Sequence, residues 1–200
     1  MKLFDSAASP YVRKINVLLH ELGASSAVVR EPVATTAFNS SETLIAANPL
    51  GKIPALEIDD GRVLYDSRVI SMYLNEHFGG AFYPEDNWQT KHLEAAGDGI
   101  MDCTVSMAYE VRLRPVDEQS AQWIEAQWTK AARAIRALNT TFIDQLSGPL
   151  TMGHISVACA LAYIDFRHDA RQWRSDNDAL AAWFTEMNAR SSMEATAPKG

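Results

Sequence analysis

Cysteine is scarce in this chain of 200 residues: Cys103 and Cys159 are its two, and neither sits in a Cys-x-x-Cys pair. Two isolated thiols exclude a disulfide-stapled scaffold and a dithiol redox centre, and each reads as a small buried hydrophobe. Long apolar runs are also lacking. The most apolar stretch, residues 155–164, falls far short of the ~20 residues that cross a bilayer. Basic charge is in the minority, with 18 Lys and Arg against 25 Asp and Glu and a formal net charge of −7. That balance argues against a general affinity for nucleic acid or an anionic membrane surface, although it leaves room for a local basic pocket. The histidines are few and scattered, with no Cys or second His at ligand spacing, so no metal is expected. The opening MKLFDSAASP places Asp5 and Pro10 where a secretion signal needs an apolar core, and a cytoplasmic protein is expected.

What is present is an ordinary globular composition, 47% hydrophobic and 22% charged, long enough for one large domain or two small ones. The patterning divides near Gly80. Before it, short β-like runs alternate with helical ones. Residues 2–4 open as a strand. Ser9-Pro10 supplies a cap and a first-turn proline, and Tyr11, Ile15, Leu18 and Leu22 follow at helical spacing before Gly23 stops the helix. Residues 27–30 read as a strand and residues 41–47 as a short helix. Residues 55–58 and 62–64 read as two strands joined through Asp60-Gly61, a two-residue hairpin signal. Asp66-Ser67 then opens a helix. The order βαβαββα is that of a thioredoxin-like domain, an α/β sheet covered by helices.

Beyond the break the pattern is all helical. Leu93, Ala96, Ile100, Cys103 and Met107 mark one long amphipathic helix; Ile124, Trp128, Ala131, Ile135 and Leu138 mark a second. Residues 155–166 are apolar on nearly every face and form the expected central helix of an all-α bundle. The expected domains are therefore residues 1–80, a linker over 81–88, and a helical domain over 89–200. Residues 1–80 carry a net charge of −2, leaving −5 for the rest.

Three junctions could carry chemistry. Ser9-Pro10-Tyr11-Val12 has the spacing of a glutaredoxin-type Cys-Pro-Tyr-Cys without either cysteine. Ser9 either caps its helix or donates a hydrogen bond to a bound thiolate at the positive helix end. Ile53-Pro54 opens a strand, where proline fits only as a first residue. A cis bond there would offer the Ile53 backbone to an extended peptide, whereas a trans bond makes a plain turn. Asp66-Ser67 either caps a helix or takes an ammonium and a carboxylate at its N-terminus.

Taken together, Ser9-Pro10-Tyr11-Val12-Arg13-Lys14, Asn48-Pro49-Leu50-Gly51-Lys52-Ile53-Pro54 and Asp66-Ser67-Arg68 resemble the cytosolic glutathione transferases. Residues 148–167 are similar to the sixth helix of bacterial members with an active-site serine. The resemblance implies that Ser9 stabilises the thiolate of glutathione, the co-substrate. It implies that Ile53 pairs with the cysteinyl backbone, that Asp66 and Ser67 hold the γ-glutamyl end, and that Lys52 meets the glycyl carboxylate. It also implies a homodimer acting in detoxification by conjugating glutathione to a small electrophile, with Met107, Tyr109 and Arg112 in the electrophile pocket. A non-catalytic glutathione-binding scaffold and a glutathione-dependent disulfide reductase are the alternatives. Asp66 stands where the family usually has Glu, and Ser6 is close enough to compete with Ser9. In Thr151-Met152-Gly153-His154 the histidine replaces a capping-box aspartate, and a weaker cap is expected.

Overall fold

In the computed structural model, residues 1–85 and 88–199 are described. Asp86 and Asn87 of the expected linker, and the terminal Gly200, lie outside them. The chain forms two compact units, one of residues 1–85 with 191–200 and one of residues 86–190.

The first unit holds a four-stranded mixed sheet in the order β2-β1-β3-β4. Strand β1 (Lys2–Asp5) runs parallel to β2 (Val29–Pro32) and antiparallel to β3 (Ala55–Glu57), which pairs antiparallel with β4 (Val63–Leu64). β2 starts two residues later than its sequence pattern suggests, because residues 25–27 are taken into a 3₁₀ turn. Pro32 is tolerated because β2 is an edge strand. The β3–β4 connection is wider than the expected two-residue turn. Ile58 donates to the Arg62 carbonyl at 2.9 Å, which leaves three residues in the loop, with Gly61 at φ 84°. That is the three-residue hairpin with a left-handed last position.

Helix α1 (Pro10–Glu21) begins with proline at its first position, where a missing N–H costs nothing, and buries Val12, Ile15, Val17, Leu18 and Leu19. The short α2 (Glu42–Ala47) inserts Leu44 into a cluster with Phe4 and Ala55. Helix α3 (Ser67–His77) packs beside α1 and buries Ile70 and Leu74.

The second unit is helical. Helices α4 (Trp88–Leu113), α5 (Ala121–Thr140), α6 (Met152–Arg167) and α7 (Asp178–Asn188) surround a core centred on α6, buried continuously from Met152 to Ile164. Such a helix has no polar stripe to show water, and its near-uniform apolar sequence says so directly. Its one internal serine, Ser156, is satisfied by the Glu94 carbonyl at 3.1 Å and Asp98 Oδ1 at 3.0 Å.

The cap of α6 differs from the expectation. His154 turns its ring back so that Nδ1 accepts the Thr151 backbone N–H at 3.2 Å and shares a 2.7 Å hydrogen bond with the Thr151 hydroxyl. A neutral imidazole thereby does the capping box's work without a charge at the positive helix end. Burial pushes His154 below its usual pKa, opposed by the Leu146 backbone. Burial likewise lowers His168, whose Nε2 meets the Thr104 carbonyl at 2.8 Å. The unfolded chain takes up these protons first, near the usual histidine value of about 6.5. Stability from the two groups is therefore complete above that pH and is lost as pH falls through the depressed folded values. A melting series from pH 7.5 to 5 should show the midpoint falling below about pH 6.5. His154→Gln, which keeps a neutral acceptor, should flatten that fall, and an unaltered slope would contradict the assignment.

The last residues were expected in the helical domain as a polar tail, yet they group with the first unit. They fold as α8 (Ser191–Ala195) against α1. Arg13 donates to the Met193 carbonyl at 2.9 Å, and Lys199 N–H reaches the Ala7 carbonyl at 3.3 Å.

Candidate functional site

The pairing registers decide which loops become neighbours. Phe4 lies opposite Ala55, so the exit of β1 and the entrance of β3 share one end of the sheet. Leu64 lies opposite Leu56, which brings the exit of β4 to the same end. The chain leaves β1 into Ser6–Ser9, enters β3 from Ile53-Pro54, and leaves β4 into Tyr65-Asp66-Ser67. All three sequence-predicted junctions therefore meet at one place in the first unit.

Each is held by its surroundings. Ser9 Oγ accepts the Val12 N–H at 3.3 Å, and the Ser9 N–H donates to the Ser6 carbonyl at 3.0 Å. Capping uses a lone pair of the hydroxyl and leaves its hydrogen free, so cap and thiolate donor are compatible roles. Behind this turn, Asp5 Oδ2 accepts from Asn16 Nδ2 at 3.2 Å, Asn16 Oδ1 accepts from Arg30 Nε at 2.8 Å, and Arg30 lies 3.6 Å from Asp5. Desolvation lowers the Arg30 pKa against the pull of Asp5. This network, which fixes where β1 ends, had no local sequence signature.

The Ile53-Pro54 bond is cis. Among the described residues the Ile53 backbone makes no hydrogen bond, so one donor and one acceptor stand open beside Ser9's loop. The preceding turn is locked by buried Asn48, which donates to the Lys52 carbonyl at 2.8 Å and accepts from Leu50 N–H at 3.1 Å. Thr35 and Ser40 both donate to the Gly51 carbonyl at 2.8 Å. Lys52 itself is exposed.

Asp66, preceded by a second cis bond, caps α3 by accepting the Arg68 N–H on Oδ1 at 3.0 Å. Ser67 is buried at the first turn. The basic residues of the three motifs divide: Lys52 and Arg68 are exposed, whereas Lys14 is fully buried and Arg13 is spent on the α8 segment. In the second unit, Met107 is a core residue at 1% exposure, while Tyr109 is 38% exposed and Arg112 is exposed. No group of His, Cys, Asp and Glu that could hold a metal occurs among the described residues, and none of their helices is long and apolar enough to cross a membrane.

Models of the glutathione S-transferase N-terminal and C-terminal domains match residues 8–77 and 121–186. The uncharacterized GST-like protein YibF of Escherichia coli K12 is 30% identical over 99% of this chain and 98% of its own length. The chain belongs to the glutathione S-transferase family. A solved family member from Pseudomonas fluorescens Pf-5, with bound glutathione, is 44% identical and superposes with a TM-score of 0.97 over 100% of this chain and 99% of its own. A structure from the same organism with bound S-(propanoic acid)-glutathione gives 43% identity and a TM-score of 0.92, each chain covered in full. The thioredoxin-like unit and the helical unit are thus the two halves of a glutathione transferase fold, and glutathione is the ligand of its structural relatives.

Proposed function

We propose that this chain is a cytoplasmic glutathione transferase that binds glutathione at the three-junction end of its sheet and conjugates it to a small electrophile. The observation that carries the reading is the Ser9 hydroxyl, whose hydrogen is uncommitted beside the unbonded Ile53 backbone. The Ile53 N–H and C=O pair with the cysteinyl residue as an added strand would. Asp66 keeps Oδ1 on its cap and turns Oδ2 to the γ-glutamyl ammonium. Ser67, at the positive end of α3, receives that group's carboxylate. Lys52 meets the glycyl carboxylate from outside.

Ser9 then donates to the sulfur, favouring thiolate over thiol. The thiol proton leaves to water, and the thiolate forms an S–C bond to the electrophile, whose leaving group or π pair takes the displaced electrons. Binding supplies the proximity. Tyr109 and Arg112 serve the electrophile. Met107 supports them from the core. The relative that holds S-(propanoic acid)-glutathione supports a conjugate carrying a small acidic substituent. Exposed Val69 and Met72, three apart on α3, with exposed Tyr65 just before that helix, suit a second copy of the chain. Calorimetric titration with glutathione, followed by turnover of a nitroaryl halide, tests the reading. Binding without turnover would favour a scaffold, and no binding would overturn it.

A further inference from the structure

Arg112 on α4 and Arg167 at the end of α6, like Arg133 and Arg136 on α5, have no carboxylate partner among the described residues. Two carboxylates close to them in sequence, Glu110 and Asp165, are committed elsewhere. Glu110 pairs with Arg114 at 3.0 Å and accepts the Ser120 N–H at 2.9 Å. Asp165 holds Arg174 by both oxygens at 2.7 Å and accepts from Trp173 Nε1 at 2.7 Å. Arg112 and Arg167 differ from the two α5 arginines in having tyrosine hydroxyls close to them.

They are also arranged. Tyr109 and Arg112 lie three residues apart on one face of α4; Tyr163 and Arg167 lie four apart on one face of α6. The two helices pack against each other, and His168 ties the end of α6 to the Thr104 carbonyl of α4 at 2.8 Å. Burial pushes the Tyr163 hydroxyl above its usual pKa, with the Arg167 guanidinium pulling it back and Tyr109 and Arg112 close enough to act on it. Burial raises Tyr109 too, against Arg112. Both hydroxyls thus stay protonated and can donate. The Arg167 guanidinium lies over the Phe166 ring at 3.8 Å, and its Nε is buried without a hydrogen-bond partner. A held planar fork with an unused buried donor is what a carboxylate binds best.

We infer that Arg112 and Arg167, with the hydroxyls of Tyr109 and Tyr163, form a receptor for a carboxylate carried by the electrophile, so that the substrates are small organic acids. This rests on the conjugation reading above. The receptor discriminates by charge. A carboxamide of the same shape gives the guanidiniums no anion, and the desolvated Nε–H stays poorly matched.

The test titrates 3-nitrobenzoate and 3-nitrobenzamide, unreactive and nearly isosteric, into the protein with and without saturating glutathione. Wild type should bind the benzoate at least about tenfold more tightly than the amide. Arg112→Gln should remove much of that preference, and Arg112→Gln with Arg167→Gln should abolish it. Arg167→Lys, which keeps charge without the fork, should fall between. Arg112 is exposed, so its single variant reads out even where the double variant fails to fold. Equal affinities in wild type, or a preference that survives Arg112→Gln undiminished, would overturn the inference. Loss of the conjugation reading appears separately, as an absence of glutathione binding while the benzoate preference stands in the glutathione-free arm.

Discussion

Asp66→Ala should weaken glutathione binding by roughly 100-fold, while Asp66→Asn should weaken it by only about tenfold. The difference separates two jobs done by one side chain. Oδ1 accepts the Arg68 N–H at 3.0 Å and so caps α3; the other oxygen is assigned to the ligand's ammonium. Losing a charged hydrogen bond costs about 1.5–3 kcal/mol, and losing the cap adds about 1 kcal/mol by letting the first turn of α3 fray. Asparagine caps about as well as aspartate and still offers an oxygen to the ammonium, but brings no charge. Calorimetry on the three proteins measures it. Equal losses for both variants would mean that the charge alone matters, and no loss for either would remove Asp66 from the site.

Gly97→Val should unfold the helical unit or lower its stability by about 4 kcal/mol, at the upper end of what overpacking does. At Gly97, α4 comes close to α6. A Cβ there would lie 2.5 Å from Ser156 Oγ, 2.6 Å from the Ser156 carbonyl carbon and 2.8 Å from its oxygen. Backbone atoms cannot swing aside as a side-chain tip can, so the helices must part. Parting them breaks the Ser156 hydrogen bonds to Glu94 and Asp98. Gly97→Ala meets the same clash and should still lose about 2 kcal/mol, although alanine favours a helix by about 1 kcal/mol. Gly153 on α6 is a second close approach, where an added Cβ would lie 2.7 Å from Leu93 Cβ on α4. Gly99 is the control. It sits on the same helix with nothing within 4 Å, so Gly99→Ala should raise the melting temperature by about 2–4 °C through helix propensity alone. If both alanine variants shift in the same direction, close approach is not what Gly97 provides.

The contrast between the two glycines shows what sequence can and cannot display. Ser9-Pro10, Gly23, Asp66-Ser67 and the apolar run of α6 announce themselves because capping, helix stopping and burial follow from neighbours in the chain. Helix ends and strands fell within a few residues, and shifts such as that of β2 came from a local turn competing for the same residues. Contacts across the fold have no such signature. Nothing near Gly97 marks it off from Gly99 until α6 lies against it. Arg13 reads only as a charged residue of the Ser9 motif until the tail returns to α1 and takes its guanidinium. His154 reads as a poor capping residue because only the folded turn directs Nδ1 at the Thr151 N–H. Tyr163 and Arg167 read as the tail of a buried helix, since their relation to Tyr109 and Arg112 exists only once α4 and α6 have packed.

We propose that Ser9 lowers the pKa of bound glutathione by donating its free hydroxyl hydrogen to the sulfur. A pH titration of thiolate ultraviolet absorbance, on glutathione bound to wild type and to Ser9→Ala, addresses it directly. Bound thiol should titrate below free glutathione in the wild type, and Ser9→Ala should raise it by about one unit, equivalent to about 1.4 kcal/mol. Identical titration curves for the two proteins, with glutathione bound to both, would contradict it.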